Sequence, residues 1–482
     1  MAIDLSKPLA WQSASHEEQQ MLRDLQGNIL KGHGRPETSN VFFKLDPTKA
    51  QASRRALREI ANFHVTSAYE QLLETQRFHA NGASGDTFVA AMLSFSGYVA
   101  IGRQASAPVG EPQFVKGMRD ATSLAAVKDP ALATWEPHFA QQIDAMILIA
   151  DMDRNRVRLK RDQVVTLLEA AGATIVHEQK GSAIKDKNNN GIEHFGYVDG
   201  RSQPLLLVED IDKEAKDAGI LRWDPQFGLG SALVAEPPPA PGAVTFGSYF
   251  IFRKLEQNVR AFKRREQELA TALGLTTDDT REVAGAMAVG RFEDGTPVTM
   301  SNTGRNANPP NDFNYAGDGG SRCPFQAHIR KVNPRGSGPG GLADERTHIM
   351  PRRGIPFEDV TRAVHPSDLP GSESVAEFDA NVGPKLPTGG VGLLFMAYNA
   401  SLAKQFVFTQ SSWANAGGFP AANVGIDPVI GQGFGPGSPV PKWHEIWDEP
   451  ASPTHTFDFH GFVTMRGGEY FFAPSLSFLK GL

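Results

Sequence analysis

Both halves of the chain switch between two-residue and three-to-four-residue hydrophobic periods in the same order, and that repetition restricts the possible folds more than any other feature. In the first half, Ser15–Leu25 reads as a short helix, with Ser15 and Glu18 spaced as a capping box. Phe88–Ile101 reads as an apolar strand broken near Gly97, and Ala145–Ala150 as a compact second strand. Leu159–Ala171 has helical spacing and should stop at Gly172, after which Thr174–His177 resumes strand character. In the second half, Ser248–Leu255 is a strand, Glu256–Leu273 an amphipathic helix ending at Gly274, Gly392–Tyr398 a buried strand and Leu402–Trp413 a helix. Strand–helix–strand units on both sides predict two α+β lobes. The stiff segment Glu236-Pro-Pro-Pro-Ala-Pro-Gly242 marks the junction, giving lobes 1–239 and 240–482. No unit repeats at 20–50 residues. Long loops remain around 300–345 and 416–445, a length usually associated with function or with wrapping over a core.

Composition removes several function classes. The 482 residues carry a net charge of −6, which gives no reason to expect nucleic acid or an anionic membrane as partner. One cysteine excludes an intramolecular disulfide, a multi-cysteine zinc site, a cysteine-ligated iron–sulfur cluster and a haem attached through a cysteine pair. The first residues lack a basic segment followed by an apolar core, and no run of about 18 apolar residues occurs. The expectation is a cytoplasmic protein without a membrane span.

Four segments could carry chemistry. In Gly196-Tyr-Val-Asp-Gly-Arg-Ser-Gln-Pro204, two glycines bracket Asp199; alone this reads as a surface Asx turn or as a rigidly held carboxylate. In Cys323-Pro-Phe-Gln-Ala-His-Ile-Arg-Lys331, His328 is either a hydrogen-bonded core residue or a ligand, and the flanking cations suit carboxylates. In His348-Ile-Met-Pro-Arg-Arg-Gly-Ile-Pro-Phe357, a buried guanidinium would need an anionic or strongly polar partner; a surface loop with an ion pair is the plainer reading. Gly392-Leu-Leu-Phe-Met-Ala-Tyr398 is by itself a core strand. Taken together they supply what a haem peroxidase requires: an axial histidine, a distal acid–base, an arginine for charge developing on a leaving oxygen, and a dry wall.

These segments are similar to the fingerprints of the dye-decolorising peroxidases, and the chain resembles the long members of that family. Gly196–Pro204 matches G-x-x-D-G, CPFQAHIRK the proximal histidine segment, and RRGIPF the distal arginine segment. Further similar stretches are Leu25–Leu30, Gly247–Gln257, GLLFMAYNASLAKQFVFTQ from Gly392, and Gly467–Pro474, so the resemblance runs from residue 25 to 474. It implies an α+β fold of two ferredoxin-like lobes, antiparallel sheets with surrounding helices, of the dimeric α+β barrel type. It implies haem b (iron protoporphyrin IX) with His328 as iron ligand, Asp199 as distal acid–base and Arg352 rather than Arg353 as distal arginine. Leu393 and Phe395 would roof the pocket, and Arg330 would meet a propionate. The activity implied is reduction of hydrogen peroxide through an oxoferryl porphyrin radical, with oxidation of dyes, phenols or other small aromatic one-electron donors. A haem-binding or haem-handling protein with little turnover is the alternative, but such a carrier needs neither Asp199 nor Arg352. Aspartate, with an ordinary pKa of about 3.9, stays ionised in mild acid, so an acidic optimum is expected. Bulky dyes would be oxidised at the surface by electron hopping, and Tyr315, Tyr398, Trp413 and Trp443 lie in segments near the motifs, although each reads first as structural.

One departure stands out. Members of the family often bond the proximal histidine to an acidic residue after the GLLF strand, whereas Tyr398–Lys404 contains no carboxylate, so such a partner would have to come from elsewhere. Other motifs fail. Asp186-Lys-Asn-Asn-Asn-Gly191 begins like a calcium loop, but its twelfth position is Tyr197. Cys323 lacks the flanking Phe and Gly of a thiolate haem ligand, and Gly431–Gly435 lacks the strand–helix context of a nucleotide loop.

Overall fold

The structure, a computed structural model, describes residues 3–236, 244–304, 308–369 and 374–482. The expected junction at 239/240 lies outside the described residues. Four strands of the first half, Glu37–Lys44, Phe88–Leu93, Ala145–Asp151 and Thr174–Ser182, pair antiparallel in the spatial order fourth, first, third, second. Four strands of the second half, Thr245–Gln257, Ile355–Glu358, Val391–Asn399 and Val463–Ala473, repeat that order. Helices follow the first and third strands in each half: Ala50–Phe63 and Arg154–Ala170, then Val259–Ala272 and the turns Ala403–Val407 and Thr409–Ala414. This is the ferredoxin-like arrangement, present twice.

The two sets form one curled sheet. At one seam Phe472 pairs with Leu93. At the other, the terminal strands approach: Gln179 Nε2 donates to Asp359 Oδ1 at 3.1 Å, and a Cβ on Gly181 would lie 2.7 Å from Ile355 Cγ2. Residues from both halves fill the space between, with the Phe42 ring 4.8 Å from Phe252 and 6.4 Å from Phe471. Such a barrel leaves few free sheet edges. No helix among the described residues is long and apolar enough to cross a membrane.

Local sequence explains most elements. Ser15 caps His16–Asp24 with the reciprocal Glu18 bond, as its spacing predicts. Phe88–Ile101 differs from expectation: the strand stops at Leu93, Ser94 caps a helix over Phe95–Ala100, and Gly97 lies inside it. Gly97 is a packing requirement there, because a Cβ would sit 1.9 Å from the Asp144 carbonyl oxygen. Arg154–Ala170 starts earlier than its apolar spacing shows, because Asp153 caps it, and Val259–Ala272 starts later, because Glu256 and Gln257 remain in the strand. The segment after Leu402 is helical but wound as two π turns.

A buried ion pair ties the halves together. Arg253 donates to Asp129 through Nη1 at 2.7 Å and Nη2 at 2.6 Å, with the side chains 3% and 0% exposed. Removing one partner strands the other charge, so Asp129→Asn is expected to cost about 3–5 kcal/mol in denaturant unfolding; a change below about 1 kcal/mol would show the site to be hydrated.

Candidate active site

A cavity of about 860 Å³ opens between the Gly196–Pro204 loop, the short helix His328–Val332 and the strand Val391–Asn399. His328, Asp199, Arg352, Leu393 and Phe395 all line it. Chain segments separated by up to about two hundred residues therefore converge on one space.

His328 opens its helix, and its Nδ1 lies 2.9 Å from Asp427 Oδ2. Asp427 is fully buried, and its other oxygen accepts the backbone N–H groups of Val429 at 2.8 Å and Ile430 at 2.9 Å. Burial pulls the imidazole pKa down, but the Asp427 carboxylate outweighs it and the net shift is upward. Burial likewise pushes the Asp427 carboxyl up, and the imidazole returns it below the ordinary range. With Nδ1 committed to Asp427, Nε2 is the nitrogen left for a ligand. Asp427 is the acidic partner missing after the GLLF strand; it comes instead from the long 416–445 loop.

Asp199 owes its position to backbone bonds. Gly196 has φ +97°, and a Cβ there would lie 2.9 Å from the Pro366 carbonyl oxygen. The Glu193 carboxylate accepts N–H groups from Phe195 and Tyr197, and Asp199 N–H donates to the Gly191 carbonyl at 3.0 Å. Asp199 Oδ1 accepts the Gly200 N–H at 2.6 Å, and Oδ2 makes no hydrogen bond among the described residues. The calcium-loop-like 186–191 segment ends in the two-residue strand that receives this loop.

The two arginines separate cleanly. Arg353 donates to the Asn28, Ile29 and Arg352 carbonyls, which makes it a clamp on the N-terminal segment. Arg352 is held at its backbone by Gln203 Oε1 at 3.0 Å, and among the described residues its guanidinium bonds only the Arg201 carbonyl, at 2.8 Å. Burial lowers the Arg352 pKa, and the Asp199 carboxylate opposes that shift, so the two side chains act on one another electrostatically. Leu393 and Phe395 project from alternate positions of their strand into the cavity, whereas Leu394 and Met396 are buried in the core.

Arg330 is not placed as expected. It is 1% exposed and absent from the cavity wall. Its guanidinium meets Asp318 Oδ2 at 3.2 Å and the Cys323 carbonyl at 2.5 Å, and it lies over the Tyr315 and Phe325 rings. Two residues along a helix rotate a side chain by about 200°, so it points away from the His328 face. The cavity presents Arg291 and Arg335 instead. Both are buried, and they share Ser202 Oγ and the Asn311 side-chain oxygen as acceptors. Among the described residues neither has a carboxylate within ion-pair distance, and burial draws their pKa values down to about 10 and about 9. Two desolvated guanidiniums bonded only to neutral groups fit a ligand with two carboxylates. Arg335 follows His328 by one short segment, but nothing in the sequence marks Arg291.

The four candidate aromatic carriers are all buried, at 4% exposure or less, and only Tyr315 reaches the cavity. Glu136, His138 and His177 bring three metal-ligand atoms together elsewhere. Lys254 already neutralises Glu136 at 2.8 Å, however, and the two imidazoles stack at 3.5 Å with nearly parallel planes, so their lone pairs do not converge.

In sequence and fold the chain is similar to known proteins. Residues 24–183 match the family described as the DyP dimeric alpha+beta barrel domain. The chain is 44% identical over 495 residues to the multifunctional dye peroxidase DyP2 of Amycolatopsis sp., covering 100% of both. It is 28% identical to the dye-decolorizing peroxidase msp1 of Mycetinis scorodonius, over 97% of this chain and 88% of that one. Among solved structures, DyP2 from Amycolatopsis superimposes with a TM-score of 0.90 at 42% identity over 100% of both chains. The DyP-type peroxidase of Anabaena sp. gives 0.84 at 36% identity over 96% of this chain and 94% of that one.

Proposed function

Because the chain belongs to the dye-decolorising peroxidase family and is a peroxidase, we propose that the cavity shared by His328, Asp199 and Arg352 is where it activates hydrogen peroxide. The family depends on haem, and the residues present fit one: a histidine with one nitrogen to spare, an apolar roof, and two buried guanidiniums bonded only to neutral groups. In this reading the cofactor would be haem b, His328 Nε2 would hold the iron, and Arg291 and Arg335 would meet the propionates. Lobe 1–239 supplies the Asp199 loop, and lobe 240–482 supplies His328, Arg352 and the roof. Bound haem would supply a redox-active iron able to store the two oxidising equivalents of peroxide for one-electron donors.

The chain's own groups do the rest. Asp199 Oδ2 would accept a proton from one peroxide oxygen and deliver it to the other, which leaves as water. Arg352 donates toward the negative charge that grows on that oxygen. Leu393 and Phe395 keep the space narrow and dry, which admits peroxide and small aromatic reductants and excludes bulky dyes. Asp427 holds the imidazole tautomer and makes it a stronger donor.

The observation that carries this reading is one cavity lined by His328, which Asp427 backs from outside the wall, by Asp199, whose Oδ2 makes no hydrogen bond among the described residues, and by the lightly bonded Arg352 guanidinium. A carrier of haem would need only the His328–Asp427 pair. The test is an absorption spectrum of haem-loaded protein before and after one equivalent of peroxide in mild acid. Rapid conversion of the Soret band, slowed in Arg352→Leu, is expected; equal bleaching in both proteins would favour haem binding without turnover. Asp427→Asn is expected to retain haem but lose about 10- to 100-fold in affinity or activity, measured by haem titration and steady-state rate.

A further inference from the structure

Lys331 is the residue the proposed mechanism leaves unused. It is 0% exposed, and it lies one helical turn beyond His328 on the five-residue helix His328–Val332. Its ammonium donates to the backbone carbonyls of Ala416 at 2.8 Å, Phe419 at 2.5 Å and Gly425 at 2.9 Å. Three donors thus meet three acceptors, all from the loop segment that leads into Asp427.

The same short helix therefore grips that loop twice, through His328 and through Lys331. Asp427 cannot adjust independently of its loop. Its Oδ1 is tied to the N–H groups of Val429 and Ile430, its own N–H donates to the Ala414 carbonyl at 2.8 Å, and its carbonyl accepts the Gly431 N–H at 3.0 Å. The carboxylate moves as a unit with its backbone, so the spacing between loop and helix fixes the length of the His328–Asp427 bond. Lys331 ties the loop to the helix on the near side.

We propose that Lys331 is a positioning residue for the His328–Asp427 pair: by clamping the 416–425 loop it holds Asp427 at bonding distance from His328 and so keeps the His328 imidazole electron-rich. The inference rests on His328 being the iron ligand. A merely structural lysine would change stability and leave the His328–Asp427 bond of the folded protein untouched. A positioning lysine changes that bond in the folded state, and a more weakly bonded imidazole is a poorer donor to iron.

The experiment compares haem-loaded wild type, Lys331→Met and Asp427→Asn by the iron–histidine stretching band of the ferrous protein and by midpoint potential. Lys331→Met is expected to lower the band and raise the potential, in the same direction as Asp427→Asn and by a smaller amount. Wild-type values in Lys331→Met beside shifted values in Asp427→Asn overturn the proposal alone. Unshifted values in Asp427→Asn overturn the ligand reading, and the proposal with it. If Lys331→Met does not retain haem, amide exchange in haem-free Lys331→Gln decides the matter. Exchange of the Asp427, Val429, Ile430 and Gly431 amides at least 10-fold faster than wild type, with the first-half strands unchanged, supports the clamp; unchanged exchange overturns it.

Discussion

Asp199→Asn is expected to leave haem binding intact and to lower peroxide-dependent turnover by about 10²–10⁴-fold, the usual worth of a positioned acid–base group. The substitution keeps size and shape, and an amide oxygen at the Oδ1 position still accepts the Gly200 N–H, so the loop keeps its conformation. What disappears is the Oδ2 proton acceptor. The backbone bonds that aim the side chain come from Gly191, Glu193 and the Glu293 carbonyl and do not involve residue 199's charge. Stopped-flow rates of the first reaction with peroxide, followed across mildly acidic pH, measure the effect. A variant with wild-type rates and the wild-type acid limb would remove Asp199 from the mechanism.

His328→Ala should lower haem affinity by more than about 100-fold, since loss of an outer partner alone is worth about 10- to 100-fold. A Soret titration of the haem-free protein reads this directly. The same titration separates the arginines. Arg335→Gln should weaken binding, because its guanidinium lines the cavity without a carboxylate partner. Arg330→Gln should not, because that side chain faces Asp318 and the Cys323 carbonyl. Weaker binding in Arg330→Gln with none in Arg335→Gln would reverse the assignment.

These assignments show what was legible in the chain. Wherever a signal is local, the sequence carried it. Ser15 and Glu18 announce a capping box because both partners lie within one turn. Gly196 and Gly200 announce a constrained carboxylate because positive φ, +97° and +77°, favours glycine. Leu393 and Phe395 share a face because strand side chains alternate. The doubled strand–helix–strand order gave both α+β halves. Sequence and structure differ where a local pattern has two outcomes. Phe88–Ile101 reads as apolar throughout, and only the Asp144 carbonyl pressing on Gly97 reveals that its second part is a helix.

The sequence by itself determined the element order, the tight turn around Asp199, and the histidine and arginine segments, because each depends on neighbours a few residues away. Tertiary structure decided which charges meet. Arg330 is close to His328 in the chain, yet helix geometry turns it aside, while Arg291 and Arg335 arrive from separate segments to face the same cavity. Asp427 reaches His328 across 99 positions, carried by a loop whose place is fixed by its backbone bonds to Lys331 and Ala414. No local propensity encodes such pairs. They form because closing the two lobes into one barrel removes these groups from water, and each buried charge must then find a partner at the far end of the chain or in a bound ligand.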